Sequence, residues 1–279
     1  MAYDKSHYSP ENPDVIRSLN MKKARNIIAV SISVIGLSLS SAALAASYAY
    51  MGDVGSEPWG MSSNTDAMDS AFGAGNWDRI NFGDSIAGYS FVYADGGDGA
   101  GTSFYSYIAG NTSLLESFVT AGGSLFLNAA SNTHGGAGPQ SMIFGATSEE
   151  GIFSGNGYAV NPLDPMFVGA GSQWYGTWYS HNAITAGASF TTFITGDASE
   201  TIVAGGAFGN GYALLGGQTS TGWHSSVNGS DPFQLRVNQL QFAASMANPV
   251  PEPETYAMML AGLGMLGFMA RRRKLKAAA

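Results

Sequence analysis

Between residues 47 and 248, short apolar runs alternate with polar, glycine-punctuated stretches, and the period within each run separates strand from helix. Tyr89-Ser90-Phe91-Val92-Tyr93-Ala94 is β-branched and aromatic, which predicts a strand, and a glycine-rich loop, Asp95–Gly101, follows it. Ser113-Leu114-Leu115-Glu116 has the spacing of a capping box and predicts an amphipathic helix over 114–120 that stops at Gly122-Gly123. Ser124-Leu125-Phe126-Leu127-Asn128 is then almost continuously apolar, as in a strand covered on both faces within a parallel sheet. Strand, glycine turn, helix, glycine turn and strand make one βαβ unit, which sets the fold class as α/β with a mostly parallel sheet.

Upstream of this unit the pattern predicts a strand over 47–51, a short capped helix over 65–72 and a weak strand over 78–82. Downstream, residues 132–189 read as loop-rich, with short strands at Ile143-Phe144 and Met166–Val168 and an aromatic cluster of Trp174, Tyr175, Trp178 and Tyr179. Strands follow at 190–194, 201–204 and 212–215, the last two joined through Gly205-Gly206 to Gly211. Asp231-Pro232, a cap and a first-turn proline, opens a final amphipathic helix over 233–246 that buries Leu235, Val237, Leu240, Phe242 and Ala243.

Composition narrows the function classes. With no cysteine, the chain has no disulfide, no thiol nucleophile and no thiolate metal site. All five lysines lie in the terminal segments, and between Ala46 and Asn248 the only basic residues are Arg79 and Arg236. An acidic domain of this kind argues against nucleic acid and anionic lipid as partners. Its aromatic content, 12% of the chain, argues for a packed core and against a disordered spacer.

The two ends carry addresses. Met21-Lys22-Lys23-Ala24-Arg25, an apolar run over 27–39 and the small-residue site Ala43-Leu44-Ala45 predict a secretory signal peptide over 21–45, engaging the Sec machinery and signal peptidase. Residues 1–20 form a polar leader, and translation is expected to begin at Met21. A single exported domain would then span 46–249. At the other end, Val250-Pro251-Glu252-Pro253-Glu254 precedes an uncharged run over 256–270 and then Arg271-Arg272-Arg273-Lys274. The 15 residues of that run would span roughly 22 Å as a helix, short of a hydrocarbon core of about 30 Å, with snorkelling arginines closing part of the gap. The basic cluster would hold its end in the cytoplasm.

This tail, residues 250–276, resembles the PEP-CTERM sorting signal, also labelled an ice-binding-protein C-terminal domain. The resemblance implies recognition at Val250, Pro251, Glu252, Pro253 and Glu254 by an exosortase-type membrane protease. It also implies transient anchoring in the inner membrane of a Gram-negative bacterium that makes exopolysaccharide, then release or attachment at the cell surface. An ordinary tail anchor is the alternative. Ice or mineral binding would need a flat threonine array, and Thr191-Thr192 with Thr219 and Thr221 are too few to form one.

A second resemblance rests on Ser117–Leu127, on Gly209–Gln218 and on Trp223-His224 before the final helix. These stretches are similar to the class I glutamine amidotransferase-like fold, in particular its ThuA-like branch. That family implies a flavodoxin-like three-layer sandwich. The catalytic cysteine of the family is absent, and Asn128-Ala129-Ala130-Ser131 falls where it would stand. Only the scaffold carries over.

Three sets of residues are candidates for chemistry. Asp95 and Asp98, in the glycine-rich loop at a strand end, can offer oxygens to Ca²⁺, or the loop can be a solvated turn. His134, His181 and His224 fall in predicted loops, where they either share a polar or metal site or serve separate structural roles. Trp59, Trp77, Trp174, Tyr175, Trp178, Tyr179 and Trp223 either stack on sugars or fill the core. The leading expectation is a non-enzymatic surface or matrix component that touches polysaccharide. The alternative is a secreted glycan hydrolase working through the His and Asp loop residues.

Overall fold

The computed structural model describes residues 47–53, 55, 57–132, 138–219, 221, 231–248, 261–266 and 268. The parallel half of its sheet is built from five short strands, four of them largely apolar. These are β1 (Tyr48–Met51), β2 (Asp78–Ile80), β3 (Phe91–Asp95) and β4 (Ser124–Asn128), and a later strand, β10 (Gly211–Gly216), completes the set. Their order β2-β1-β3-β4-β10 is that of a flavodoxin-like sheet, with every neighbouring pair parallel.

Period-2 alternation sorts the side chains of these strands onto two buried faces. Ala49, Met51, Val92, Ala94, Leu125, Leu127, Ala213 and Leu215 meet helix α2 (Gly101–Thr120) through Phe104, Ile108, Leu115 and Val119. Tyr50, Phe91, Tyr93, Phe126 and Leu214 face the other way, onto α1 (Ser63–Phe72) and α3 (Pro232–Ser245) through Met68, Leu235 and Leu240. Helices on both faces make three layers, as the α/β expectation required. Asp231 caps α3 by accepting from the Gln234 N–H at 2.9 Å.

The second half of the chain adds an antiparallel wing. β9 (Thr201–Phe208) pairs with β10, then β8 (Thr191–Thr195), β6 (Thr147–Ala159) and β5 (Gln140–Ser141) follow outward. β7 (Gln173–Thr185) pairs with β6 as the second arm of a long hairpin. The sheet as a whole is therefore mixed.

Five expectations are corrected here. The stretch 132–189 is built around this 13-residue hairpin pair, not around loops. Its glycines, serines and glutamates have low strand propensity, and pairing with the aromatic β7 overrides it. Met166–Val168 is no strand, because Pro165–Phe167 forms a 3-10 turn capped by Asp164; the strand near Ile143-Phe144 is the two-residue β5 instead. Gly205-Gly206 lies inside β9, and the turn falls at Gly209-Asn210.

The fifth correction concerns α2, which begins at Gly101 and not at Ser113. Phe104, Tyr105, Tyr107 and Ile108 bury one side of its first half, and the capping-box sequence sits just past a kink at Asn111 (φ −128°). Glu116 does not turn back to the helix; its carboxylate accepts from the Phe144 N–H at 2.7 Å.

A bulge in β6 is clasped by Asp197 in the β8–β9 turn. Its carboxylate accepts from the Ser154 hydroxyl, the Gly155 and Asn156 N–H groups, the Asn156 amide and the Tyr158 hydroxyl at 2.8–3.1 Å. The Asn156 amide contributes most to holding this carboxyl below its usual range. At the C-terminal end, residues 261–266 are helical and Leu263, Met265, Leu266 and Phe268 are exposed. Among the described residues no helix is long and apolar enough to cross a membrane; most of the predicted span 256–270 lies outside them.

Candidate functional site

In an open parallel sheet the carboxyl ends of the strands form the natural ligand crest. Here β3 delivers Asp95 and β4 delivers Asn128 to that crest, and Gly217-Gln218 continue from the end of β10. Asp95 is 1% exposed. Its Oδ2 accepts from the Tyr93 hydroxyl at 2.5 Å, from Asn64 Nδ2 at 3.0 Å and from Asn128 Nδ2 at 3.1 Å, while Oδ1 accepts from the Gly97 N–H at 2.6 Å.

The countercharge arrives from α3. Arg236, itself 2% exposed, donates through Nη1 to the Tyr93 oxygen at 2.8 Å and lies over the Tyr93 and Phe126 rings. A tyrosine hydroxyl thus bridges a buried carboxylate and a buried guanidinium. Burial pushes the Tyr93 hydroxyl well above the tyrosine range, with Arg236 opposing, so it stays a proton donor at neutral pH. Tyr50, stacked on Tyr93 at 5.1 Å, is raised in the same way by burial. The network continues from Asn128 to the Gln218 backbone at 2.8 Å, and the Gln218 side chain joins Tyr179 and Gln239.

Above this polar floor lies an aromatic surface. Trp59 and Asp98 both adopt left-handed backbone, at φ 54° and 47°, and the Trp59 N–H donates to Asp98 Oδ2 at 3.2 Å. The Trp59 ring meets His181 edge-on at 5.5 Å. His181 is fully buried between Trp59, Phe153 and Trp178, and its backbone N–H donates to the Gly217 carbonyl at 3.1 Å. Phe153 and Trp178 stack at 4.9 Å with their planes 18° apart, yet remain 47% and 45% exposed.

The sequence candidates are distributed accordingly. Asp95 belongs to the buried floor, where a cation would have to displace four donors from its oxygens. Asp98 lies at the surface edge, in an isolated parallel bridge with Ser131, which is itself buried. His181 joins the aromatic surface; His134 and His224 lie outside the described residues, as do Trp223, Ala43, Ala45, Val250–Glu254 and Arg271–Lys274. Among the described residues, no three His, Asp or Glu side chains are grouped to hold a metal. Of the aromatic cluster, Trp174 and Tyr179 are core, whereas Tyr175 and Trp178 face outward. Trp77 is half-buried and donates to Asp69 at 2.8 Å.

Arg236 and Phe153 were not legible as site residues. A lone cation between Leu235 and Val237 on an amphipathic helix of an acidic domain was the available signal for the first. Phe153 had none, because its contact with Trp178 depends on the hairpin. The described surface also holds an open depression of about 500 Å³ beside Ser113, Glu116, Thr120 and Phe144. It sits on the second half of α2, toward the amino ends of the strands and away from the crest.

No curated protein sequence matches the chain. Structural likenesses include a cold-adapted β-galactosidase from Rahnella sp. R3 at 14% identity and TM-score 0.43, covering 71% of this chain and 30% of that one. The chain therefore spans less than a third of that relative's length. A cytoplasmic protein of Salmonella typhimurium aligns at 15% identity and TM-score 0.48, over 71% of this chain and 98% of its own. A glutamine amidotransferase from Thermotoga maritima aligns at 14% identity and TM-score 0.41, over 61% and 74%. Likenesses of this size say nothing of activity. The tail is informative where the domain is not: residues 249–274 match the family model, and the chain carries there the PEP-CTERM protein-sorting motif, which implies export, sorting to the envelope and processing by an exosortase.

Proposed function

We propose that this chain is a non-enzymatic component of the cell surface or extracellular matrix whose crest binds polysaccharide. The observation that carries this reading is the Phe153–Trp178 stack, two large rings held parallel and left nearly half exposed beside the ligand end of the sheet. Sugar rings present C–H faces to such surfaces, and the exposed rings offer them a broad apolar face. A hydrolase would need a carboxylate ready to take or give a proton. Asp95 has both oxygens engaged by donors, which favours binding over turnover.

Trp178→Ala is expected to weaken retention on the cognate exopolysaccharide roughly tenfold, the loss corresponding to about 1–2 kcal/mol of aromatic contact. Affinity electrophoresis of the exported protein measures it, with the melting temperature as a control for folding. Unchanged retention in both Trp178→Ala and Phe153→Ala would remove the basis of the proposal.

Export itself should leave a mature chain running from about Ala46 to the region of Val250–Glu254. Mass spectrometry of both termini of the secreted form tests this, and peptides from 1–20 or 256–274 in that form would contradict it.

A further inference from the structure

The charge around the aromatic surface narrows the ligand, and the narrowing rests on the polysaccharide reading above. Residues 46–248 carry 15 Asp and Glu against two arginines, a net charge of −13 with histidines neutral. Neither arginine is available to an incoming anion. Arg236 is buried beneath the crest with its guanidinium on Tyr93. Arg79 lies 3.8 Å over the Tyr50 ring, donates to the Tyr50 and Asp53 carbonyls and pairs with Glu57 at 3.4 Å. The segments 133–137 and 222–230, which flank the crest in sequence, add no lysine or arginine.

Uronate, sulfate or phosphate on a glycan is held most strongly by Arg or Lys donors, because a carboxylate or phosphate brought out of water must be paired. This domain offers none, and its own carboxylates repel a polyanion over about 10 Å at 0.1 M salt. Aromatic faces, by contrast, accept neutral sugar rings and attract ammonium groups. We infer that the crest takes a glycan without acidic groups, one of neutral hexoses or of sugars bearing free amines, and rejects acidic exopolysaccharide.

The test uses the full exported protein at pH 7.5 and three immobilised polymers: a neutral β-glucan, partially deacetylated chitin and alginate. Retention on the first or second at least tenfold stronger than on alginate, lost in Trp178→Ala, is the expected result. A second variant, Thr177→Lys, places one cation at an exposed position next to Trp178 and is expected to raise retention on alginate. Alginate bound as tightly as the neutral polymer by the unaltered protein overturns the charge selection and leaves polysaccharide binding standing. Retention on none of the three overturns both.

Discussion

Asp95→Ala is expected to cost the exported domain about 3 kcal/mol, the lower end of the range for breaking a buried charge pair. For a domain of this size that lowers the melting temperature by roughly 6–12 °C. The cause is not the lost hydrogen bonds alone. Arg236 would remain buried with its charge uncompensated, and the Asn64 and Asn128 amides and the Gly97 N–H would lose their acceptor. Arg236→Met should cost a similar amount for the mirror-image reason. Because the two charges act through one hydroxyl, the double variant should lose less than the sum of the singles by about 1 kcal/mol or more. Chemical denaturation of the four proteins reads this directly, and strictly additive losses would show that Tyr93 does not couple them.

Gly217→Ala should be comparably severe, for a reason of space. A Cβ at Gly217 would stand 2.1 Å from the Asn182 carbonyl oxygen, and backbone cannot swing aside as the tip of a side chain can. The strands must separate where β7 crosses the end of β10, at the point where the His181 N–H reaches the Gly217 carbonyl. The expected stability loss is about 3 kcal/mol. Polysaccharide retention should fall with it, since β7 carries both Trp178 and His181. A melting temperature and a retention both equal to those of the unaltered protein would mean that the crossing is looser than its geometry implies.

The difference between what was and was not legible in the chain follows range of interaction. β4 and α3 could be read because their patterns are local: Leu125-Phe126-Leu127 is apolar throughout, and Asp231-Pro232 announces a helix start. β6 could not, since Gly155, Asn156 and Gly157 are held extended by β7 and by the Asp197 carboxylate some 40 residues away. Composition hid the first half of α2 in the same way. Gly101, Thr102 and the aromatics 104–107 favour other conformations, and burial against β3 and β4 decides for helix. At the crest, the pattern puts Asp95 just past the apolar run of β3, and the structure makes it the last residue of that strand. Its partners Asn64, Asn128 and Arg236 lie 31, 33 and 141 positions away, so only the fold reveals that the carboxylate faces inward.

The placement of both guanidiniums on tyrosine rings bears on how long such a protein survives once exported. Proteases that cut after lysine or arginine meet only two susceptible bonds in residues 46–248, and a well-shielded side chain guards each. Even after unfolding, the stretch 80–236 would come away whole. Durability toward trypsin-like digestion is thus written into where this domain keeps its few positive charges.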